Sequence, residues 1–183
     1  MICHDNLLVS FDTIKESDLD LLLSWRNHLL VYQWCRQRDL IDEQDHLEWF
    51  SSLKNNKKIK MYLIRDNIHL VPIGVCGLTD IDLYNQRAEF SLYIAPDKQR
   101  QGYGQDALKL LLYTAFRNYP FEIIYGETFR GNPAMKTFLN LGFFIEGTRR
   151  SFYFKGGQLI DADLVSIKRS EFQMNTTKKL KAL

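Results

Sequence analysis

Gln99-Arg100-Gln101-Gly102-Tyr103-Gly104 decides the reading of this chain, because it joins two segments of different period. Upstream, Arg87 to Ile94 reads as a strand, and Pro96 ends it. Downstream, Ala107, Leu108, Leu111, Leu112, Ala115 and Phe116 form one broad apolar stripe, which predicts a helix of about four turns. The two glycines therefore stand at a helix N-terminus, where first-turn amides lack internal partners and the helix dipole favours negative charge. A Cβ at either position would crowd an approaching phosphate. Two glycines before a helix also make an ordinary tight turn, so the surrounding chain has to decide. The spacing is not G-x-x-x-x-G-K-[ST], and no G-x-G-x-x-G opens a strand–helix–strand unit near the N-terminus. Nucleotide-phosphate and dinucleotide loops both match poorly.

Outward from this loop, helices come first. Asn6 to Phe11 reads as a strand, and Ser17 is placed to cap a helix with Leu19, Leu22 and Leu23 at helical spacing, running to about Asn27. A second helix is expected from Asp42, carrying Leu47, Trp49 and Phe50, after an aromatic-rich connector from Leu29 to Leu40. Lys60 to Arg65 and Val71 to Ile81, joined at Asp66-Asn67, make an antiparallel meander with Arg87 to Ile94. Beyond the glycine loop and its helix come a strand from Glu122 to Thr128 and a short helix opened by Pro133 and stopped at Gly142. A hairpin of Phe143 to Phe154 and Leu159 to Lys168 turns at Gly156-Gly157. The pattern is a mixed α/β (α+β) domain over residues 1–170, followed by a polar tail at residues 171–183. No linker, internal repeat or low-complexity segment interrupts it.

A chain of 183 residues that is 45% hydrophobic and 13% aromatic can bury a sizeable core. Its 24 basic and 22 acidic residues are intermixed, giving a net charge of +2 and no broad cationic field for nucleic acid. Lys178, Lys179 and Lys181 are the basic cluster, in the polar tail. Cys3, Cys35 and Cys76 are odd in number, far apart and without C-x-x-C spacing, which argues against a disulfide framework and against a metal site. Met1-Ile2-Cys3-His4-Asp5 has no basic start followed by an apolar run, and no stretch approaches the roughly 20 apolar residues of a membrane span. A soluble, cytoplasmic protein is expected, with neither membrane nor nucleic-acid partner.

The run from Tyr93-Ile94-Ala95-Pro96 to Gln99-Arg100-Gln101-Gly102-Tyr103-Gly104 resembles the Q/R-x-x-G-x-G/A motif of the GNAT acetyltransferases. Asn132-Pro133-Ala134-Met135-Lys136 with Leu141-Gly142-Phe143 is similar to the N-x-x-A and L-G-F signature that follows it in that family. The resemblance implies a central mixed, mostly antiparallel sheet flanked by helices, whose strands ending near Ile94 and starting near Ile123 splay apart. It implies acetyl-CoA as co-substrate and no metal. Backbone groups from Leu92 to Ile94 and the loop residues Gln99, Arg100, Gln101, Gly102, Tyr103 and Gly104 would hold the cofactor, with Asn132, Lys136 and Phe138 alongside. Asn132 would reach its pantetheine or thiol end. An Asn there also suits a helix cap, and the two roles can coexist.

On the N-terminal side, Arg26 lies seven residues after Leu19 and four after Leu22, which puts a guanidinium on the helix's apolar stripe. His46 sits three and four residues before Trp49 and Phe50. An arginine snorkelling from the core edge and a hydrogen-bonded core histidine would account for both. So would an anion and sugar pocket, since a guanidinium fork matches diphosphate oxygens and His or Tyr can bond a base or sugar hydroxyl. Trp25-Arg26-Asn27-His28, Trp34, Ile41 and His46-Leu47 resemble the amino-sugar N-acetyltransferases of the pseudaminic acid pathway, which act on a UDP-linked 4-amino sugar. The similarity continues through Gly74-Val75-Cys76-Gly77-Leu78-Thr79 and Leu92-Tyr93. It implies Arg26, His46, Thr79 and Tyr93 as contacts for a small nucleotide-sugar substrate, with a homodimer as the protein assembly in view. W-R-N openings also occur in ribosomal-protein and other small-acceptor acetyltransferases, so a protein N-terminus or a polyamine stays an alternative acceptor. A non-catalytic acyl-CoA-binding module is the alternative of a different class.

Acetyl transfer to an amine needs a neutral nitrogen, a polarised thioester carbonyl and a proton for the leaving thiolate. Direct attack in a ternary complex needs no enzyme nucleophile, and Cys76 reads as strand-interior packing. Many GNAT members protonate the thiolate with a Tyr four residues before the Gly of L-G-F. Here that position is Phe138, which leaves Tyr93, Tyr103 or Ser91 as candidate hydroxyls. Glu89 and Glu127, on strands near the expected splay, are the candidate bases through water, and His46 is a third. Either Glu also suits a surface strand position.

Overall fold

The computed structural model describes Ile2, His4 and residues 7–172. Seven strands form one sheet: β1 (Val9–Asp12), β2 (Lys60–Asp66), β3 (Pro72–Asp82), β4 (Arg87–Ile94), β5 (Ile123–Phe129), β6 (Phe144–Lys155) and β7 (Gln158–Lys168). Their spatial order is β1-β2-β3-β4-β5-β7-β6. Every neighbouring pair is antiparallel except β4 and β5, which run parallel because the sixteen-residue helix α4 (Tyr103–Asn118) crosses between them. The remaining helices are α1 (Leu19–Asn27), α2 (Leu29–Tyr32), α3 (Glu43–Leu53) and α5 (Met135–Leu141).

Strand alternation divides these helices between the two faces. On one face Ile64, Cys76, Leu78, Ala88 and Ile124 pack against Leu108, Leu111, Leu112 and Ala115 of α4 and Phe138 and Leu141 of α5. On the other, Leu63 and Val75 pack against Leu19 and Leu22 of α1, with Trp49 and Phe50 of α3 at the margin. Cys76 is fully buried in the first of these layers, as strand-interior packing predicts.

Element boundaries depart from expectation where local hydrogen bonds compete. Ser17 does not cap α1; it lies inside a one-turn 3-10 helix (Glu16–Asp18) in which the Asp18 carboxylate accepts from the Lys15 amide at 2.8 Å. The connector contains α2, opened by His28, whose Nδ1 accepts from the Leu30 amide. Asp42 caps α3, accepting from the Asp45 amide at 2.8 Å. Pro133 falls in a turn ahead of α5, because Asn132 Oδ1 takes the Ala134 amide and Asn132 O takes the Met135 amide, both at 3.0 Å. Phe172 is buried against Tyr113 and Phe116, so packing continues beyond residue 170. Cys3, Asn6 and the lysines at 178, 179 and 181 lie outside the described residues.

The splay expected between β4 and β5 is present. The two strands pair only at Arg87 with Ile123, Ala88 with Ile124 and Glu89 with Tyr125, after which β4 has no partner on that side. Phe90 occupies the opening from the α4 face: its ring is so close over Gly126 that a Cβ there would sit 2.4 Å from Cε1. Phe138 and Phe143 hold that ring edge-on, with centroids 5.1 and 5.2 Å away, so it cannot swing aside. Gly126→Ala is therefore expected to destabilise the fold by about 1–3 kcal/mol through overpacking, read as a lower urea midpoint at unchanged slope.

Candidate active site

The loop after β4 is shaped by its own side chains. Gln99 Nε2 donates back to Ile94 O at 3.2 Å and Gln101 Nε2 to Asp97 O at 3.0 Å, closing the turn onto the strand end. Arg100 and Gly102 have φ of +61° and +88°, the left-handed region, which Gly102 adopts without strain. No side chain caps α4, and the Gln105 and Asp106 amides bond to Gly102 O, which leaves the Tyr103 and Gly104 amides without a partner among the described residues. A Cβ on Gly104 would make only ordinary contact with Ile94, so Gly102 carries the conformational requirement. Acetyl-CoA fits this arrangement on two independent counts: open amides at the start of a long helix for its phosphates, and an unpaired β4 edge beside Leu92 and Ile94 for its amide-bearing arm.

Two other residues assigned to the cofactor are already engaged. Asn132 caps the turn before α5 and donates through Nδ2 to Thr128 Oγ1 at 2.8 Å. Phe138 is 6% exposed and packs on Phe90 and Phe143, within the core rather than on an open wall. Lys136 is exposed on α5. Tyr103 donates its hydroxyl to Asp66 Oδ2 at 3.3 Å, which ties the start of α4 to the β2–β3 turn.

On the opposite face of the splay, alternation places Thr79, Glu89, Ser91, Tyr93 and Glu127 together. Glu89 and Glu127, one on each side of the opening, are only 13% and 6% exposed at their side chains. Arg36 bridges them, with Nη2 2.7 Å from Glu89 Oε1 and Nη1 3.6 Å from Glu127 Oε2. Glu127 also accepts from Arg149 Nη1 at 3.1 Å and Tyr153 Oη at 3.0 Å, whereas Glu89 has only the weak Thr79 hydroxyl contact at 3.4 Å besides Arg36. Burial and the bond to Glu127 raise the Tyr153 pKa. Burial is the largest single influence on Arg36 and would lower its pKa, but the bond and charge of Glu89 together with Tyr153 outweigh it and hold the guanidinium above its usual range.

Arg26 stands beside this group. It lies 5.6 Å over the Tyr93 ring and donates through Nη1 to Cys35 Sγ at 2.7 Å, and among the described residues no carboxylate pairs with it. Burial pushes the Tyr93 hydroxyl well above its usual pKa, against the opposing pull of Arg26. His46 is withdrawn from the opening: it is 5% exposed, its Nε2 lies 3.2 Å from Leu19 O, and its ring stacks on Trp49 at 5.1 Å.

Arg36, Arg149, Tyr153 and Lys155 are site residues that the sequence pattern does not single out. Lys155 Nζ, on β6, donates to the carbonyls of Tyr32, Cys35 and Gln37 at 2.7, 2.7 and 2.9 Å, and sits 3.7 Å over the Tyr32 ring. These partners are separated by 118 to 123 positions. Only the alternation of β6 offered a signal, since it puts Arg149 and Tyr153 on the side facing Glu127. Among the described residues no cluster of His, Cys, Asp or Glu could hold a metal ion, and no helix is long and apolar enough to cross a membrane.

A parallel pair that parts over an uncapped glycine loop and a long helix is the arrangement of an acyl-CoA-dependent N-acyltransferase. Residues 9–143 match the acetyltransferase (GNAT) domain family, and the chain belongs to it. It is an acetyl-CoA-dependent N-acetyltransferase. Over 147 residues it is 26% identical to acetyltransferase PseH of Campylobacter jejuni serotype O:23/36, covering 80% of this chain and 89% of that protein. The PseH of serotype O:2 matches at the same identity over 153 residues. In fold it is similar to the spermidine N-acetyltransferase of Vibrio cholerae bound to CoA and spermine, with a TM-score of 0.85 at 20% identity over 91% of this chain and 98% of that one. A dodecameric form of the Vibrio cholerae enzyme aligns at a TM-score of 0.76 and 20% identity, over 90% of this chain and 96% of that one.

The position of His46 sets a pH dependence of stability. Burial lowers its folded-state pKa below the ordinary 6.5, against the opposing pull of the bond to Leu19 O. Below pH 6.5 the unfolded chain then binds more protons at this site than the folded one, so the contribution is full above pH 6.5 and is lost as pH falls towards the folded-state value. Urea unfolding between pH 7.5 and 5 should show this decline, and His46→Gln should flatten it.

Proposed function

We propose that the chain acetylates the amino group of a nucleotide-linked sugar, the 4-amino group of a UDP-4-amino-4,6-dideoxy sugar. The observation that carries this reading is Arg26: a half-buried guanidinium beside the splay, stacked on Tyr93 and without a carboxylate. Buried cations need a counter-charge, and an acceptor bearing phosphates brings one. A polyamine would need free carboxylates, yet Glu89 and Glu127 are already held by Arg36 and Arg149. The likeness to PseH over 80% of the chain supports the same class of acceptor. Thr79, on the strand beside Glu89, is a further contact for the sugar, and His46 acts at a distance by fixing α1, which carries Arg26.

Acetyl-CoA, when bound, supplies the acetyl group. The chain's own residues handle protons. Glu89 takes the proton that the acceptor's ammonium must lose, through water, because it has fewer partners than Glu127 and stands where β4 leaves β5. Tyr93, on the same face of β4 as Glu89, is the hydroxyl assigned in this reading to protonate the leaving sulfur, a role Phe138 cannot fill.

Release of free CoA by the purified protein, measured against UDP-amino sugars, peptides and polyamines, tests the acceptor. Turnover confined to the UDP-amino sugars is expected, and turnover of polyamines or peptides alone would sink the reading. In Arg26→Ala the KM for the nucleotide sugar should rise by about tenfold or more, as expected for a lost charged hydrogen bond, with the KM for acetyl-CoA unchanged.

A further inference from the structure

The base assigned above is a carboxylate whose charge is set by a neighbour from a distant loop, and that loop has no regular structure after α2 to hold it. Residues 33–40 carry Arg36 across the mouth of the splay; Arg26 holds Cys35 Sγ and the Tyr32 hydroxyl holds Arg38 O, and the contact that reaches them from the β6–β7 hairpin is Lys155. The Lys155 ammonium has three hydrogens, and three carbonyls of this loop, those of Tyr32, Cys35 and Gln37, converge on it at 2.7 to 2.9 Å. The Tyr32 ring closes the site from beneath, 3.7 Å from Nζ. Arg36 lies between two of those carbonyls in sequence, so the latch spans the residue that bridges the carboxylates.

We infer that Lys155 is a positioning residue for catalysis: by latching residues 32–37 it seats Arg36 between Glu89 and Glu127 and so holds Glu89 in place to accept the acceptor's proton. In that step an N–H bond of the substrate ammonium breaks, an O–H bond forms at Glu89, and solvent then takes the proton. Without Arg36, two poorly exposed carboxylates face one another with less counter-charge, a change that favours uptake of a proton by the pair. The other charged or titratable groups facing this pair are Tyr125 of β5, Asp80 of β3 with its bond to Tyr125, Arg87 of β4, which lies over the Tyr125 ring and pairs with Asp82, and Arg149 and Tyr153 of β6. Arg149 and Tyr153 serve Glu127, which leaves Arg36 as the cation of Glu89. Around Lys155 itself stand Arg26, Cys35, Tyr32 and Phe129.

The inference rests on Glu89 as the proton acceptor, and the experiment separates the two claims. The pH profile of kcat/KM is measured for the wild type, Glu89→Gln, Arg36→Gln and Lys155→Met, with thermal unfolding in parallel. Glu89→Gln should abolish the acid limb. Arg36→Gln should move that limb to higher pH by about one unit, the smaller end of the effect of one close opposite charge. Lys155→Met should move it in the same direction, with roughly tenfold loss near neutral pH and recovery towards wild-type rates at alkaline pH, while the KM for acetyl-CoA stays fixed. A Lys155→Met profile that is lowered uniformly, or that superposes on the wild type, overturns the latch. A Glu89→Gln profile like the wild type overturns the base assignment instead. Should Lys155→Met not fold, Lys155→Arg carries the test: its planar fork keeps the charge but cannot converge on three carbonyls, so a smaller shift in the same direction is expected, and an unshifted profile counts against the latch.

Discussion

The parting of β4 from β5 after Glu89 is the constraint on which the rest of the structure depends. A parallel pair within an otherwise antiparallel sheet lasts three residues, and then the backbone of β4 has no strand to bond on one side. A buried strand edge left open is unfavourable unless something satisfies or covers it. Here the α4 face is closed by apolar matter, with Phe90 lying over Gly126 and wedged by Phe138 and Phe143. The other face is left to polar groups, and the opening therefore has a dry floor and a charged roof. That asymmetry orders the chemistry, because a thioester beside the β4 edge would meet side chains only from the charged side.

The charged roof is not there for stability. Arginines bridging nearly buried carboxylates gain Coulomb energy but lose hydration, and such pairs often give little net stabilisation. What they fix is geometry and protonation state. Glu127 gives its oxygens to Arg36, Arg149 and Tyr153 and so anchors β6 and the connector over the opening. Glu89 has fewer such partners, Arg36 and a weak contact with the Thr79 hydroxyl among the described residues. Arg26 departs from the pattern by standing over Tyr93 with no carboxylate paired to it among the described residues, and in the proposed reading that cation is what favours an acceptor bearing phosphates.

The sequence made the frame legible where the signal is local. The α4 stripe, the β2–β3–β4 meander, the Asp42 cap and the glycine turn between β6 and β7 all depend on residues within a few positions of one another, and each is present. Helix starts at Ser17 and Pro133 were displaced because Asp18 and Asn132 offered nearby amides a stronger carboxylate or amide oxygen. The loop Gln99–Gly104 was readable because backbone conformation encodes it. Half of the site was not. Arg36 is an unremarked arginine in a loop until β4 and β5 bring Glu89 and Glu127 to it, and Lys155 has no local pattern to betray carbonyls that lie more than a hundred residues away. His46 illustrates the converse, since its helical spacing to Trp49 was read correctly and the open question was which way the ring faced.

These two kinds of encoding divide the site by function. In the proposed reading the donor side is one contiguous stretch, the end of β4 through the first turn of α4, whose geometry is set by short-range hydrogen bonds and one left-handed glycine. The acceptor side is assembled from four remote segments: α1 with Arg26, the connector with Arg36, the β4 and β5 faces with Glu89 and Glu127, and the hairpin with Arg149, Tyr153 and Lys155. On the proposed assignment, substitutions in the connector or hairpin would act on the acceptor side and leave the glycine loop untouched. The two halves meet only along β4, where Leu92 and Ile94 face the α4 side and Glu89, Ser91 and Tyr93 face the other. One strand, by its alternation alone, thus sets the proposed donor side against Glu89, the proposed base.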